Sequence, residues 1–316
     1  MLAGMTPPLH LLRLLRAVSV AVVCGGAGLA LAACSSPAGA SGKIVAVGAE
    51  NEYADVLSQI GGSYVDTTAV ESNPNTDPHT FEASAKVSQV VSSAQLVVQN
   101  GLGYDSYMSK IEAATPSSAR KVIVVQHLLG LPDSTPNPHL WYDPGTMPQV
   151  AKAIAEDLSQ LAPAHAAVFS ANLAKFNASL QPWFEAIASA KASYAGTPVA
   201  TTEPVADYLL AAMGLDNLTP FVFQADVMNG VDPSPQDVAG ENALFTGDKV
   251  KVFVYNEQVT DSLTQSLASL SQRRNIPVVG VYETMPTPGY DYQTWMMAEV
   301  RSIVKALASH VSTTHL

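Results

Sequence analysis

Along the chain, apolar positions change period again and again, and each change marks an element. After residue 42, "KIVAVGA" (43–49) is a strand-like run, and "EYADVLSQIGG" behind it carries helical spacing. The same alternation recurs, with "SAKVSQVVSSA" as helix, "QLVVQNG" as strand and "KVIVVQ" (121–126) as strand. Strands that alternate with helical segments predict parallel sheets with crossover helices. From Met147 to about Tyr194 the pattern is helical only. Val150, Ile154, Leu158 and Leu161 are spaced for one apolar face, as are Phe169, Leu173, Phe176 and Leu180. Pro163 is expected to start a new helix, and Pro182 to kink it or sit near a break.

Beyond this stretch the strand-helix alternation resumes. "TPVATTE" is strand, "PVADYLLAAMG" helix, "KVKVFVYNE" strand, "SLTQSLASLSQRR" helix and "IPVVGVYE" strand, before the closing helix "YQTWMMAEVRSIVKALASHV". Segment 216–248, rich in Pro, Asp and Asn, reads as a long loop with one short helix. The expected fold is α/β, with two βα lobes over 43–160 and 197–316. A long linking helix over 161–196 joins them.

The N-terminus belongs to another class. "LLRLLRAVSVAVVCGGAGLALAAC" carries Arg13 and Arg16, then an apolar run, then small residues ending at Cys34. Charge, length and apolarity match a secretory signal over 1–33. A spanning helix fits less well, because Gly25, Gly26 and Gly28 interrupt a run already short for a bilayer. "SSPAGASG" behind Cys34 is flexible by composition, so 34–42 reads as a tether.

Removing 1–33 takes away two arginines and no acids, which moves the formal net charge from −11 to −13. Nucleic-acid binding needs clustered cations, and this balance excludes it. Cys24 and Cys34 are the only cysteines, one in the signal and one at its end. The body therefore has no thiol for a disulfide, a zinc-thiolate site or cysteine catalysis. Any metal site must use nitrogen and oxygen.

Two motifs offer nitrogen. "NPNTDPHTFEAS" delivers His79 behind Pro78, and "TPNPHLWYDP" delivers His139 behind Pro138. A proline-stiffened turn reduces the entropy lost when a ligand is held in place. Oxygen comes from Glu203, at the end of "VATTE", and Glu283, at the end of "VVGVYE". Open parallel sheets bind ligands at the carboxyl ends of their strands, which is where both glutamates fall. Singly, each residue has a plainer reading, as a turn histidine or a helix N-terminal charge. Asp143 in "YDPG" reads as an N-cap, His127 as a core or rim histidine, and Trp141 and Tyr142 as packing around a cleft mouth. His165, His310 and His315 read as incidental.

These motifs resemble the manganese- and zinc-specific solute-binding lipoproteins of ABC importers. "DPHTFE" with "VVQNG" corresponds to that family's Asp-Pro-His-x-aromatic-Glu and Asn-Gly marks, and "NPHLW" to its Asp-Pro-His-x-Trp. "LAAC" resembles the lipobox in which the cysteine is acylated, here Cys34. The resemblance implies two α/β lobes on a rigid linking helix, with a metal ion buried between them. It assigns His79 and His139 to the first lobe and Glu203 to the second. For the last carboxylate, Glu283 ends the strand, whereas the family's usual aspartate points further on, to Asp291. The His-rich loop of many zinc-specific members is missing.

The expected function is a lipid-anchored, extracytoplasmic, monomeric protein that captures one divalent transition metal and hands it to an ABC permease and its ATPase. No enzymatic chemistry is expected. A metal-dependent hydrolase with the same ligands would need a water position and a general base, and no His-Glu-x-x-His helix is present. A surface adhesin is a third class. Two imidazoles with two carboxylates lean toward manganese, while the Irving–Williams order favours zinc.

Overall fold

The computed structural model describes residues 42–316. The signal segment, Cys34 and the tether up to residue 41 lie outside the described residues. The first lobe runs β1 (Ile44–Glu50), α1 (Asn51–Gly61), β2 (Val65–Glu71), α2 (Ala85–Ser93), β3 (Leu96–Gln99), α3 (Ser106–Ala114), β4 (Lys121–Val124) and α4 (Val125–Leu128). Three helices follow without a strand: α5 (Thr146–Leu161), α6 (Ala166–Ser179) and α7 (Gln181–Tyr194). The second lobe runs β5 (Pro198–Thr201), α8 (Asp207–Ala212), β6 (Asp216–Asn217), α9 (Phe221–Met228) and α10 (Pro235–Thr246). It closes with β7 (Val252–Asn256), α11 (Ser262–Arg273), β8 (Val278–Val281) and α12 (Tyr292–Ser309).

Each lobe has one parallel four-stranded sheet, in the orders β2-β1-β3-β4 and β6-β5-β7-β8. The strand order reverses between β1 and β3, and again between β5 and β7. Such reversals open a crevice at the carboxyl edge, because the connections on either side leave toward opposite faces.

Alternate residues of the central strands serve different cores. Ile44 and Ala46 of β1, Leu96 and Val98 of β3, Val252 and Val254 of β7, and Val279 and Val281 of β8 join one apolar cluster shared by both lobes. Their neighbours turn the other way. Val47, Ala49 and Val97 pack on the far side of the first sheet, and Phe253, Tyr255 and Val278 on the far side of the second. A period of two with both faces buried is the signature of a parallel sheet covered on both sides. The shared core also takes Trp141, Trp183, Tyr292 and Trp295, all buried.

Several details differ from the sequence reading. The segment 161–196, read as one linking helix, contains two helices and a short 3-10 turn at 163–165, with the break between α6 and α7 at Leu180. Pro182 sits in the first turn of α7, where its missing N–H is harmless, so the chain restarts a helix there. In its packing, α6 lies on α1 and α5, and α7 on α12 and α8. Segment 216–248 holds β6 and two helices rather than one. Ser234 accepts a hydrogen bond from Asp237 N and Pro235 opens α10, a start signal present in "SPQD". Edge strand β2 and helix α3 were also not foreseen. Asp143 does not cap α5; its Oδ1 accepts from Gly145 N (2.7 Å) in the preceding turn. Trp141 and Tyr142 lie inside the core and not at a rim.

Close approach of α1 to β1 depends on Gly48, where a Cβ would overlap the backbone of Ala54. Overpacking of this kind typically costs about 1–3 kcal/mol. Gly48→Ala is expected to lower the unfolding free energy measured by chemical denaturation by that much. Stability equal to wild type would show that α1 can shift without penalty.

Candidate metal centre

His79 and His139 reach the crevice on two turns of similar construction. Asp77 Oδ1 accepts from His79 N (2.8 Å), and Pro78 opens a single 3-10 turn over Pro78–Thr80. Asn137 Oδ1 accepts from His139 N (3.0 Å) in the same way. Asn137 also orients the ring. Its Nδ2 donates to the Pro204 carbonyl (2.7 Å), so its oxygen faces His139 Nδ1 at 2.8 Å. Nδ1–H therefore donates to Asn137, and Nε2 points away into the crevice.

Both Nε2 atoms converge on one oxygen. Glu283 Oε2 lies 3.1 Å from His139 Nε2 and 3.2 Å from His79 Nε2. The Tyr104 hydroxyl donates to the same oxygen (3.0 Å). His79 Nε2 is buried, close to the carboxylate and not aligned for a hydrogen bond with it. Among the described residues, His79, His139 and Glu283 are the one group of three potential ligands whose donor atoms lie within 4.8 Å of one another. Glu283 Oε1 accepts from Asn256 Nδ2 (2.7 Å), and Gln258 Oε1 accepts from the backbone N–H groups of Glu283 (2.6 Å) and Thr284 (2.8 Å).

The other candidates sit elsewhere. Glu203 is buried at the exit of β5, one amide away from the cluster, and its Oε1 accepts from Asn256 Nδ2 (3.1 Å). It lies in a bend before α8 and does not open that helix, which starts at Asp207. Asp291 caps α12 in a reciprocal box with Thr294, with Oδ1 accepting from Thr294 N (2.8 Å). His127 is exposed on α4, away from this cluster. Tyr104, Asn137, Asn256 and Gln258 were not singled out from the sequence. Asn256 had one readable signal, as a polar residue ending an apolar strand at the carboxyl edge.

Charge at the centre follows from burial and neighbours. Burial would raise the Glu283 carboxyl, but the His79 and His139 imidazoles outweigh it and hold the group well below the usual carboxylate range. Burial lowers the His139 imidazole, against the pull of Glu283. For His79, burial also acts downward, yet the Glu283 and Asp77 charges prevail and its pKa is raised. Burial, then the Glu283 charge, pushes Glu203 well above the ordinary range. An open groove of about 700 Å³ gives access to His79 and Tyr104, with Met228, Asn229 and Gly230 of the second lobe on its wall. Two imidazole nitrogens and carboxylate oxygen are donors suited to a borderline divalent transition metal.

A family model described as "Zinc-uptake complex component A periplasmic" matches residues 47–306. The chain belongs to this family. This zinc-uptake family member is 28% identical over 134 residues to the zinc-binding protein TroA of Treponema pallidum, covering 41% of this chain and 43% of that protein. It is 26% identical over 137 residues to the manganese-binding lipoprotein MntA of Bacillus subtilis, covering 42% of this chain and 44% of that one. The alignments thus span less than half the length of these curated relatives. Among solved structures, the periplasmic zinc-binding protein TroA from Treponema pallidum has a TM-score of 0.73 at 20% identity, over 84% of this chain and 100% of that one. The Mn-bound periplasmic metal-binding protein from Candidatus Liberibacter asiaticus gives 0.70 at 19%, over 84% and 100%. At these identities the likeness shows the fold, two α/β lobes with parallel sheets.

A second acidic group borders the centre. Glu50, Glu52 and Glu71, at the carboxyl edge of the first sheet, are buried with no hydrogen-bond partner on any carboxyl oxygen. Tyr107, nearby, donates to the Ala49 carbonyl (3.3 Å). Burial, then the Glu52 charge, pushes the Glu71 carboxyl up to about 9, which leaves it neutral at neutral pH. The unfolded chain loses this proton near 4.5 and the folded chain near 9, so the folded state holds more protons in between. Stability contributed below that window is therefore lost as pH rises through it. Glu71→Gln is expected to flatten the decline in thermal midpoint between about pH 5 and 9 and to raise the midpoint at pH 8. An unchanged decline would place its source in other groups.

Proposed function

We propose that this protein is the extracytoplasmic, lipid-anchored capture subunit of an ABC importer for a divalent transition metal, manganese or zinc. His79, His139, Glu203 and Glu283 hold the ion as cargo, and the loaded protein delivers it to a permease driven by an ATPase. The observation that carries this reading is the convergence of two imidazole Nε2 atoms on one buried carboxylate oxygen. Two imidazole nitrogens and a carboxylate oxygen about 3 Å apart form a donor set that a divalent ion can bridge. Membership of the zinc-uptake family supports it, as do relatives named for zinc and manganese binding. Glu283 is preferred over Asp291 as fourth ligand because the Asp291 carboxylate is committed to its helix cap. Glu203 joins through its unpartnered Oε2. The protein acts as a monomer and performs no covalent chemistry on its cargo.

Metal binding adds folding stability by mass action, about 4 kcal/mol when free metal is a thousandfold above the dissociation constant. Thermal unfolding with and without Mn²⁺ or Zn²⁺ is expected to show this gain in wild type and its loss in His79→Ala and His139→Ala. Glu283→Gln should weaken binding by more than about a hundredfold, since even partners outside the ligand set cost about ten- to a hundredfold. Asp291→Asn should retain it. Retained binding in Glu283→Gln with loss in Asp291→Asn would reverse the assignment. Elemental analysis of protein purified without added metal, with competition titrations, decides between manganese and zinc.

Binding requires neutral imidazoles, and the raised pKa of His79 makes protons compete above the ordinary imidazole value of 6.5. Affinity should therefore be highest above the His79 pKa and fall as pH drops through it. Isothermal titration across pH 5–8 (a window set around about 6.5) tests this, and a flat profile would show that neither histidine ligates.

The anchor rests on "LAAC", with Cys34 as the acylated residue. Among the described residues no helix is long and apolar enough to cross a membrane. A single acyl chain holds a protein only marginally, whereas two or more anchor it firmly. Cys34→Ser is expected to move the protein from the detergent phase to the soluble fraction or medium. Unchanged partitioning would dismiss lipidation at this cysteine.

A further inference from the structure

Sheet order puts β7 between β5 and β8, so Asn256, the last residue of β7, lies between the exits that carry Glu203 and Glu283. Strand register fixes the level. Thr201 pairs with Val254 and Val281 with Asn256, and two further residues along β5 bring Glu203 level with Asn256. One backbone and one side-chain hydrogen bond hold the layer together, with Thr202 N donating to the Val254 carbonyl (3.0 Å) and Asn256 N to Thr202 Oγ1 (3.0 Å).

The Asn256 amide cannot be turned over without loss. Its Oδ1 accepts from Gln258 N (3.0 Å), which leaves Nδ2 facing the carboxylates. Nδ2 then donates to Glu203 Oε1 (3.1 Å) and Glu283 Oε1 (2.7 Å) together. One oxygen of each carboxylate is thereby occupied and the other left over. The remaining oxygen of Glu283 faces the two imidazoles, and that of Glu203 is buried with no partner.

We propose that Asn256 is a positioning and specificity-determining residue of the metal centre, holding Oε1 of Glu203 and Glu283 so that each offers a single oxygen to the ion. This deepens the proposed function and rests on it. An amide nitrogen is a donor without a lone pair for a cation, so Asn256 stays outside the ligand set while limiting the carboxylates to one bond each. Two imidazoles and two monodentate carboxylates make a four-coordinate site, which suits zinc. Release of the second oxygens would raise the coordination number, which hard, oxygen-preferring manganese accepts more readily.

The test uses the full chain, stripped of metal and titrated with Zn²⁺, Mn²⁺ and Co²⁺. Asn256→Ala is expected to weaken Zn²⁺ binding by about ten- to a hundredfold, as loss of such supporting partners does. Mn²⁺ should lose less, so the preference between the two ions shifts toward Mn²⁺. The visible bands of bound Co²⁺, intense in four-coordinate sites, should weaken as the freed carboxylates chelate. Asn256→Asp keeps the side-chain shape and an acceptor for Gln258 N–H but has no donor, and should show the same loss of Co²⁺ intensity. A wild-type Co²⁺ spectrum in Asn256→Asp would overturn the proposal, even if Asn256→Ala failed to fold. Unchanged ion preference in a folded Asn256→Ala would overturn it as well. His139→Ala separates the two levels. Binding that is lost in His139→Ala but untouched by Asn256→Ala removes only the positioning role, whereas a wild type that binds none of the three ions removes both readings.

Discussion

An ionised carboxylate inside a protein is costly unless positive charge or several donors face it, and Glu283, 1% exposed, is such a group. Two imidazoles, a phenol, an amide and the Gln258-held backbone all converge on it or on its segment. These groups come from distant parts of the chain. His79, Tyr104 and His139 come from the first lobe and Asn256 and Glu283 from the second, so the site exists only when the lobes meet. Bonds between the lobes hold that meeting in register. Asn51 and Met285 exchange two hydrogen bonds (2.8 and 3.0 Å), Gln258 Nε2 donates to the Thr76 carbonyl (2.8 Å), and the Tyr142 hydroxyl to the Tyr282 carbonyl (2.7 Å).

The shared apolar core acts in the same direction. Inner-face residues of both sheets, together with Trp141, Tyr292 and Trp295, belong to one cluster, so a wide hinge opening would expose large apolar surface. This favours local change around the crevice over the domain closure of proteins with flexible connectors. The turns that carry His79 and His139 are already fixed by Asp77, Pro78 and Asn137. In the proposed role, movement on capture would fall to the carboxylates of the second lobe, and above all to Glu203, whose Oε2 has no partner.

Much of this architecture was legible because parallel strands and their crossovers write distinct periods into the chain. The strands at 43–49, 95–101, 121–126, 197–203, 249–257 and 276–283 announced themselves as short strand-like runs, and the carboxyl ends of two of them gave Glu203 and Glu283. The Pro-His turns were legible for another reason, since proline restricts the backbone whatever surrounds it. Edge strand β2 escaped notice because "VDTTAVE" is only partly buried and lacks a continuous apolar run. Asn256 and Tyr104 escaped for a deeper reason. An asparagine after a strand or a tyrosine after Asn-Gly has no preferred role until tertiary contacts give it a partner. Glu283 and Asp291 were of the same kind, because both are acids beyond one strand, and contact with the two imidazoles for one and a capping box for the other appear only in three dimensions.

The proposed cargo role also bears on the charges of the pocket. Without an ion, the two imidazoles favour the charged form of the buried Glu283 carboxyl, and the Glu283 and Asp77 charges favour the charged form of His79. In the proposed role a divalent ion would compete with a proton at His79 and favour ionisation of Glu203, which burial and the Glu283 charge push toward the neutral form. Capture would then release protons as the ion enters, coupling occupancy of the site to pH.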